Sequence, residues 1–221
     1  MTHDPPTCWT LLREVVAGDT VARERFARSY EPVVRSYLAA RWRGTTRLPQ
    51  LDDAVQDLFV ECFRTGGILA KIDEGYSGGF RAFFFGAVRN IALRHEAKRE
   101  SPGQLPPELA ADDTSLAAAF DRAWAKSLLK EAARVQAEAA EGVGERAVRR
   151  VELLRLRFRE GLPIREIAER WATDAASLHR EYATAREEFH AALRSVVAFH
   201  HPNAGPSELD AACAELLSLL G

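Results

Sequence analysis

The stretch GLPIREIAERWATDAASLHREYATAREEF, residues 161–189, places apolar side chains at helical spacing on both sides of a short break. Ile164 and Ile167 share one face before the break, and Leu178 begins the apolar face after it. Asp174 stands where the second helix needs its N-cap. This pattern is typical of a helix-turn-helix unit, although an antiparallel helical hairpin would have the same periodicity.

In a helix-turn-helix unit, the exposed side chains at the start of the second helix face the DNA major groove. Here we expect contacts with DNA from Ser177, His179, Arg180 and, further along, Arg186. The same helix also carries Glu181, Glu187 and Glu188. The sequence therefore predicts only weak attraction of this helix to phosphate groups.

Helical periodicity extends over most of the remaining chain. Apolar residues recur at spacings of three and four, without a sustained alternation of β-branched residues. We predict a first clear helix from Asp19, its N-cap candidate, to about Trp42, with a kink or break at Pro32. Two further helices are predicted at about 52–64 and about 79–99. The sequence therefore predicts an all-α protein.

A proline-rich polar segment divides the helical chain. Residues 101–115, SPGQLPPELAADDTS, have the composition of a linker. We expect one small helical domain at 8–100 and a second, the helix-turn-helix domain, at 116–197. A C-terminal extension follows at 198–221, in which we expect a short amphipathic helix capped by Ser207.

The composition excludes several classes of protein. The 221 residues are 47% hydrophobic and have a formal net charge of −2, which excludes a disordered chain and provides no overall basic field. Three cysteines without a C-x-x-C pair argue against a disulfide framework or a zinc site. We find no cofactor-binding or catalytic motif. We therefore expect a cytoplasmic protein that is not an enzyme, with no cofactor, no metal and no membrane span.

The predicted helix at 52–64 has an acidic stripe on its outer face. The stripe consists of Asp53, Gln56, Asp57 and Glu61. A solvated surface is the usual explanation of such a stripe. Asp and Gln are mediocre helix formers, however, so binding of a partner is a second interpretation.

The predicted helix at 79–99 combines aromatic and basic side chains. Phe80, Phe84 and Ile91 fall on one stripe and are expected in the core, whereas Phe83 flanks that stripe. The basic residues of the segment are Arg81, Arg89, Arg94, Lys98 and Arg99. Arginines beside an edge aromatic ring suit single-stranded nucleic acid, because guanidinium groups bind phosphates and the ring stacks on an unpaired base. The simpler interpretation is a set of core phenylalanines with solvated arginines.

Together these motifs resemble bacterial RNA polymerase sigma factors, specifically the small two-domain extracytoplasmic-function (ECF) group. DDAVQDLFVECFR (52–64) is similar to the family's core-binding helix, and FRAFFFGAVRNIALRHEAKRE (80–100) to its promoter-melting and −10 recognition helix. GLPIREIAERW (161–171) and the residues after it are similar to the domain that reads the −35 element. GDTVARERFARSYEPVVRSYL (18–38) is similar to the opening helix.

The resemblance implies a sigma factor that binds RNA polymerase core and directs promoter recognition and melting. The implied contacts with the clamp helices of the polymerase largest subunit come from Asp53, Gln56, Asp57 and Glu61. The implied contacts with the opened −10 strand come from Phe80, Phe83, Arg89, Asn90, Arg94, Lys98 and Arg99, while the loop at 66–79 would cover a flipped base. The implied partners are core polymerase, promoter DNA and, as a further candidate, an anti-sigma factor.

Two departures from the family pattern keep other functions open. Ala172 stands where the family usually has a glycine in the turn, and His179, Glu181 and Thr184 stand where basic residues are common. One alternative is a sigma-like helical protein that sequesters a partner through its acidic helix without reading DNA. A stand-alone DNA-binding repressor is another. The C-terminal extension matches no motif of the family and would either pack on the second domain or engage a regulator.

Overall fold

The computed structural model describes residues 7–97 and 113–220, and its regular elements are helices. The all-α prediction is therefore confirmed. In chain order the α-helices are α1 Cys8–Ala17, α2 Thr20–Arg41, α3 Leu51–Phe63, α4 Gly79–Ala97, α5 Asp113–Val143, α6 Glu145–Phe158, α7 Ile164–Arg170, α8 Ala175–His200 and α9 Pro206–Ser218. Across these two stretches, no helix has the length and apolar character needed to cross a membrane.

The helices of the first half begin and end close to the predicted positions. The carboxylate of Asp19 accepts a hydrogen bond from the backbone N–H of Ala22 at 2.7 Å, and α2 starts directly after this cap. Of the kink or break predicted at Pro32, the break is wrong, because α2 continues through the proline. The apolar face formed by Phe26 and Val33 is buried on both sides of the proline, and this packing outweighs the loss of one backbone donor.

One helix precedes the first one that we predicted. The hydroxyl of Thr7 accepts a hydrogen bond from the backbone N–H of Thr10, and the hydroxyl of Thr10 accepts one from the backbone N–H of Thr7. This capping box starts α1, whose side chains Leu11 and Val15 are buried.

The chain divides into two units of internal contacts. Unit 1 contains the described residues up to Ser127 together with 199–202 and 216–220, and unit 2 contains 128–198 and 203–215. The division lies within α5 and not in the expected linker at 101–115, most of which is outside the described residues. The reason is that the first half of α5 packs into the core of unit 1.

An aromatic cluster forms the core of unit 1. The ring of Phe26 lies 6.0 Å from that of Phe80 and 5.8 Å from that of Phe84, and Tyr30 stacks on Trp124 of α5 at 5.4 Å between ring centroids. Phe84 and the other residues of the predicted apolar stripe of α4 are buried. The spacing of the α4 phenylalanines therefore predicted their burial correctly.

The core of unit 2 includes the contact between α6, α7 and the start of α8. Its buried residues are Leu153, Leu156, Ile164, Ile167, Ala168 and Leu178. Between α7 and α8 the chain turns at 171–174, where Ala172 adopts a left-handed conformation with φ 47°. Asp174 then caps α8, since its carboxylate accepts a hydrogen bond from the backbone N–H of Ser177 at 2.7 Å.

The C-terminal extension contains the expected short helix, with a different cap. Ser207 lies inside α9, and the helix start is closed by the Glu208 carboxylate, which accepts a hydrogen bond from the backbone N–H of Gly205 at 2.7 Å. In unit 2, Arg194 of α8 pairs with Asp210 of α9 at 3.2 Å.

Candidate protein-binding and nucleic-acid-binding surfaces

The acidic stripe of α3 consists of two exposed and two partly buried side chains. Asp53 and Gln56 are exposed. Val60 lies on the same helical face, seven residues after Asp53, and is 55% exposed. These three residues, which we call the α3 surface, combine a carboxylate, an amide and an uncovered apolar side chain.

Asp57 contacts α4 and belongs to the packing of unit 1. Its carboxylate accepts a hydrogen bond from Nε2 of His95 at 2.9 Å, and the imidazole of His95 is 10% exposed. Glu61 forms an ion pair with Arg64 at 2.9 Å on the same helix. The Asp57 side chain is 43% exposed and at the same time links α3 to a buried histidine.

The end of α4 is attached to α2 by a shielded ion pair. Glu96 accepts hydrogen bonds from Nε and Nη2 of Arg41 at 2.7 and 2.9 Å, and from the indole N–H of Trp42 at 2.9 Å. The Arg41 and Glu96 side chains are 14% and 25% exposed. Burial alone would raise the pKa of Glu96, but the hydrogen bonds from Arg41 and Trp42 bring this pKa below its ordinary value.

The predicted −10 residues of α4 occupy different environments. Phe80 is 2% exposed and packs against Tyr30 and Trp124, so the expectation that it contacts a DNA strand is corrected. Arg89 is half-buried, whereas Asn90 and Arg94 are exposed. The predicted residues Lys98 and Arg99 lie outside the described residues.

Phe83 is the predicted base-stacking residue, and its side chain is half-buried at the edge of the core. The ring of Tyr76, from the glycine-containing loop before α4, meets it edge to face at 5.4 Å between centroids. Tyr76 is itself 45% exposed. Two aromatic rings are thus accessible at the start of α4, whereas Arg81 in this region is paired with Asp121 of α5.

On α8, three of the four predicted −35 residues are exposed and one is half-buried. The exposed residues are His179, Arg180 and Arg186, and the half-buried one is Ser177. The guanidinium of Arg186 lies 5.9 Å from the ring centroid of Tyr182, and that ring also contacts the exposed Phe158 of α6.

Two carboxylates of α8 are bound to arginines of α6. Glu181 accepts hydrogen bonds from Arg146 and Arg150, and Glu188 accepts one from Nε of Arg150 at 2.9 Å. The hydrogen bonds from Arg146 hold the pKa of Glu181 below its ordinary value. These ion pairs offset much of the negative charge that the α8 sequence alone indicates.

Several candidate residues were not found from the sequence. Val60 could have been recognised, because it follows Asp53 by seven residues on one helical face. No sequence signal identifies the partner of His95, or the contact between Arg149 and Trp171 at 4.6 Å, because these pairs join residues distant in the chain.

Comparison of the chain with protein-family models finds no matching family, and comparison with curated proteins finds no match either. The candidate surfaces of α3, α4 and α8 are therefore interpreted from their own residues.

Proposed function

We propose that this protein is a sigma factor of the ECF type, which binds RNA polymerase core through α3 and opens promoter DNA with α4. The observation that carries the proposal is the joint exposure of Asp53, Gln56 and Val60 on one face of α3. A carboxylate, an amide and an apolar side chain exposed on one helical face suit a protein partner with basic and apolar side chains.

The chemistry of the α4 region supports a role in holding an opened strand. Phe83 and Tyr76 offer accessible ring surface, and Asn90 and Arg94 are exposed further along the helix. An unpaired base stacked on an aromatic ring contributes about 1–3 kcal/mol, which can offset the cost of unstacking. Melting by capture of the base requires no catalytic group.

The pairing of two α8 carboxylates with arginines of α6 favours DNA binding over the alternative of a protein that only sequesters a partner. That alternative depended on an acidic recognition helix. Glu181 and Glu188 are bound to arginines of α6, which offsets their negative charge. His179 and Arg180 are exposed in the first turns of α8. We propose that this face contacts the −35 element.

The first test is a charge reversal on the α3 surface. We expect Asp53→Lys to weaken binding to purified core polymerase by at least about tenfold, because it would place like charges together at the interface. Asp52→Lys is the matched control: Asp52 is adjacent and exposed, but its carboxylate is bound to Arg35 at 2.6 Å, away from the α3 surface. Equal binding by wild type and Asp53→Lys would contradict the proposal.

The second test is run-off transcription with core polymerase and fragmented genomic DNA. We expect initiation at a defined set of promoters that depends on the added protein. Phe83→Ala should reduce open-complex formation on duplex promoters much more than on pre-melted ones, because only the duplex requires base capture. Equal losses on both templates would remove this role from Phe83, and absence of any protein-dependent transcript would reject the sigma-factor proposal.

A further inference from the structure

A cavity in unit 2 lies between α6 and the start of α8. Its volume is about 330 Å³. Its polar lining consists of Arg146, Arg149, Arg150, Thr173, Ser177 and Glu181. Three arginines and two hydroxyl-bearing residues thus line the same space as one glutamate, which is a lining suited to an anion.

The three arginines of this cavity differ in how their charge is used. Arg146 and Arg150 both bind Glu181, and Arg150 also binds Glu188. Arg149 forms no ion pair with any carboxylate of the part of the chain that the structure describes. Its charge is therefore the one available to a ligand.

Arg149 is positioned by an aromatic ring. Its guanidinium carbon lies 4.6 Å from the ring centroid of Trp171, the first residue after α7. An arginine over an indole ring is attracted to the ring face and keeps its N–H groups for other acceptors. Trp171 thus restricts the side chain without neutralising it.

The Arg149–Trp171 pair lines two spaces that differ in charge. Besides the cavity, the pair lines a groove whose other residues include Glu141, Glu145 and Glu152. An anion would be repelled by that groove. The cavity is lined by Ser177, which is also a predicted −35 residue.

We propose that Arg149, supported by Trp171 and by the hydroxyl groups of Thr173 and Ser177, binds a phosphate of the DNA backbone beside α8. This inference rests on the proposed function, because the DNA backbone passes close to the start of a recognition helix placed in the major groove. The positive charge that the α8 sequence lacks is then supplied by α6.

The test is a titration of the full-length chain with a labelled mixed-sequence DNA duplex at salt concentrations from about 50 to 200 mM. We expect Arg149→Ala to lower affinity about tenfold at the lowest salt and to reduce the slope of log K against log salt by about one. Arg149→Lys should keep the slope and recover part of the affinity, because an ammonium group retains the charge without the planar fork.

Arg155→Ala is the matched control. Arg155 lies on the same helix and its substitution removes the same charge, but it points to another face and binds Glu152 at 2.7 Å. We expect this variant to bind DNA almost as wild type does. Circular dichroism and thermal melting of all variants establish that they are folded.

Three results would overturn the inference: no binding of the duplex by the wild type at the lowest salt, unchanged affinity of Arg149→Ala, or an equal loss for Arg155→Ala. Failure of the sigma-factor proposal has a different signature. In that case no promoter would be used with core polymerase, while the difference between Arg149→Ala and Arg155→Ala on duplex DNA would persist.

Discussion

Both units use ion pairs between helices, but with opposite consequences for the candidate surfaces. In unit 1 one carboxylate oxygen of Asp57, a residue of the acidic stripe of α3, is bound to His95 and is less available to a partner. In unit 2 the bonds from Arg146 and Arg150 neutralise Glu181 on the candidate DNA-binding helix. The charge that a helix presents to a partner therefore depends on the helix packed against it as well as on its own sequence.

The two units also differ in their turns. In unit 1, a Cβ at Gly67 would lie 2.1 Å from the backbone oxygen of Glu61, so the turn after α3 requires glycine. In unit 2, Ala172 adopts a left-handed φ of 47° that glycine would adopt with less strain. One turn thus has the residue that its geometry demands, and the other does not.

The largest expected effect comes from the shielded ion pair of unit 1. We expect Glu96→Gln to lower the free energy of unfolding by about 3 kcal/mol, because Arg41 would remain in a mostly buried position without its counter-charge. Chemical denaturation measures this change. Asp53→Asn is the control, since Asp53 is exposed and its substitution should change stability by less than about 0.5 kcal/mol. Equal losses of unfolding free energy in the two variants would show that the Arg41–Glu96 pair does not contribute strongly to the stability of unit 1.

The same pair predicts a dependence of stability on pH. The pKa of Glu96 is lower in the folded chain than its ordinary value of 4.5, so its contribution is fully present above that value. The contribution is lost as pH falls from 4.5 through the folded pKa. Stability of the wild type should therefore decline more steeply in this acid range than stability of Glu96→Gln. Parallel declines would contradict the expected role of Glu96.

Gly67→Ala should have the next largest effect. The added methyl group would press on the backbone at Glu61 and Arg64, and we expect a loss of about 2 kcal/mol. Gly86→Ala is the matched control in α4, where a Cβ would meet no atom within 4 Å and should raise stability by up to about 1 kcal/mol. Thermal unfolding distinguishes the two, and stabilisation by Gly67→Ala would show that the turn tolerates a side chain.

A smaller effect is expected at Asp57. We expect Asp57→Asn to cost about 1 kcal/mol, because the amide is a weaker acceptor for the N–H of His95. Comparison with Asp53→Asn by chemical denaturation separates packing from surface charge. If both variants are as stable as wild type, the bond between α3 and His95 contributes nothing measurable.

The smallest effect, of opposite sign, is expected in the turn of unit 2. We expect Ala172→Gly to raise the free energy of unfolding by about 0.5–1 kcal/mol, because relief of the left-handed conformation exceeds the added flexibility of the unfolded chain. Ala183→Gly, at an exposed position inside α8, should instead lower it by about 1 kcal/mol. Destabilisation by both variants would show that the turn is not strained.

Much of the fold was predictable because helix formation has local causes. The spacing of Phe80 and Phe84 predicted a buried face, and both residues are buried. Asp19 and Asp174 were predicted as caps, and each accepts a hydrogen bond from the backbone of the helix that follows it. The continuation of α2 through Pro32 was not predictable, because packing on both sides of the proline is not a local property.

The candidate sites were predictable only in part. Asp53, Gln56, Asn90 and Arg94 are exposed as their predicted roles require, whereas Phe80 is enclosed by Tyr30 and Trp124. The enclosing tryptophan comes from α5, whose first half we had expected in the second domain. A periodic pattern identifies the apolar face of a helix, but the neighbour that covers this face comes from elsewhere in the chain.

Local sequence established the helical class, the approximate bounds of α2, α3 and α4, the caps Asp19 and Asp174, and the unusual alanine in the turn of unit 2. These features depend on residues within a few positions of one another. Which charges are available to a partner depends instead on how the helices pack in the folded chain. Asp57, Glu96 and Glu181 have similar carboxylates but different neighbours, and burial and ion pairing between distant residues separate them.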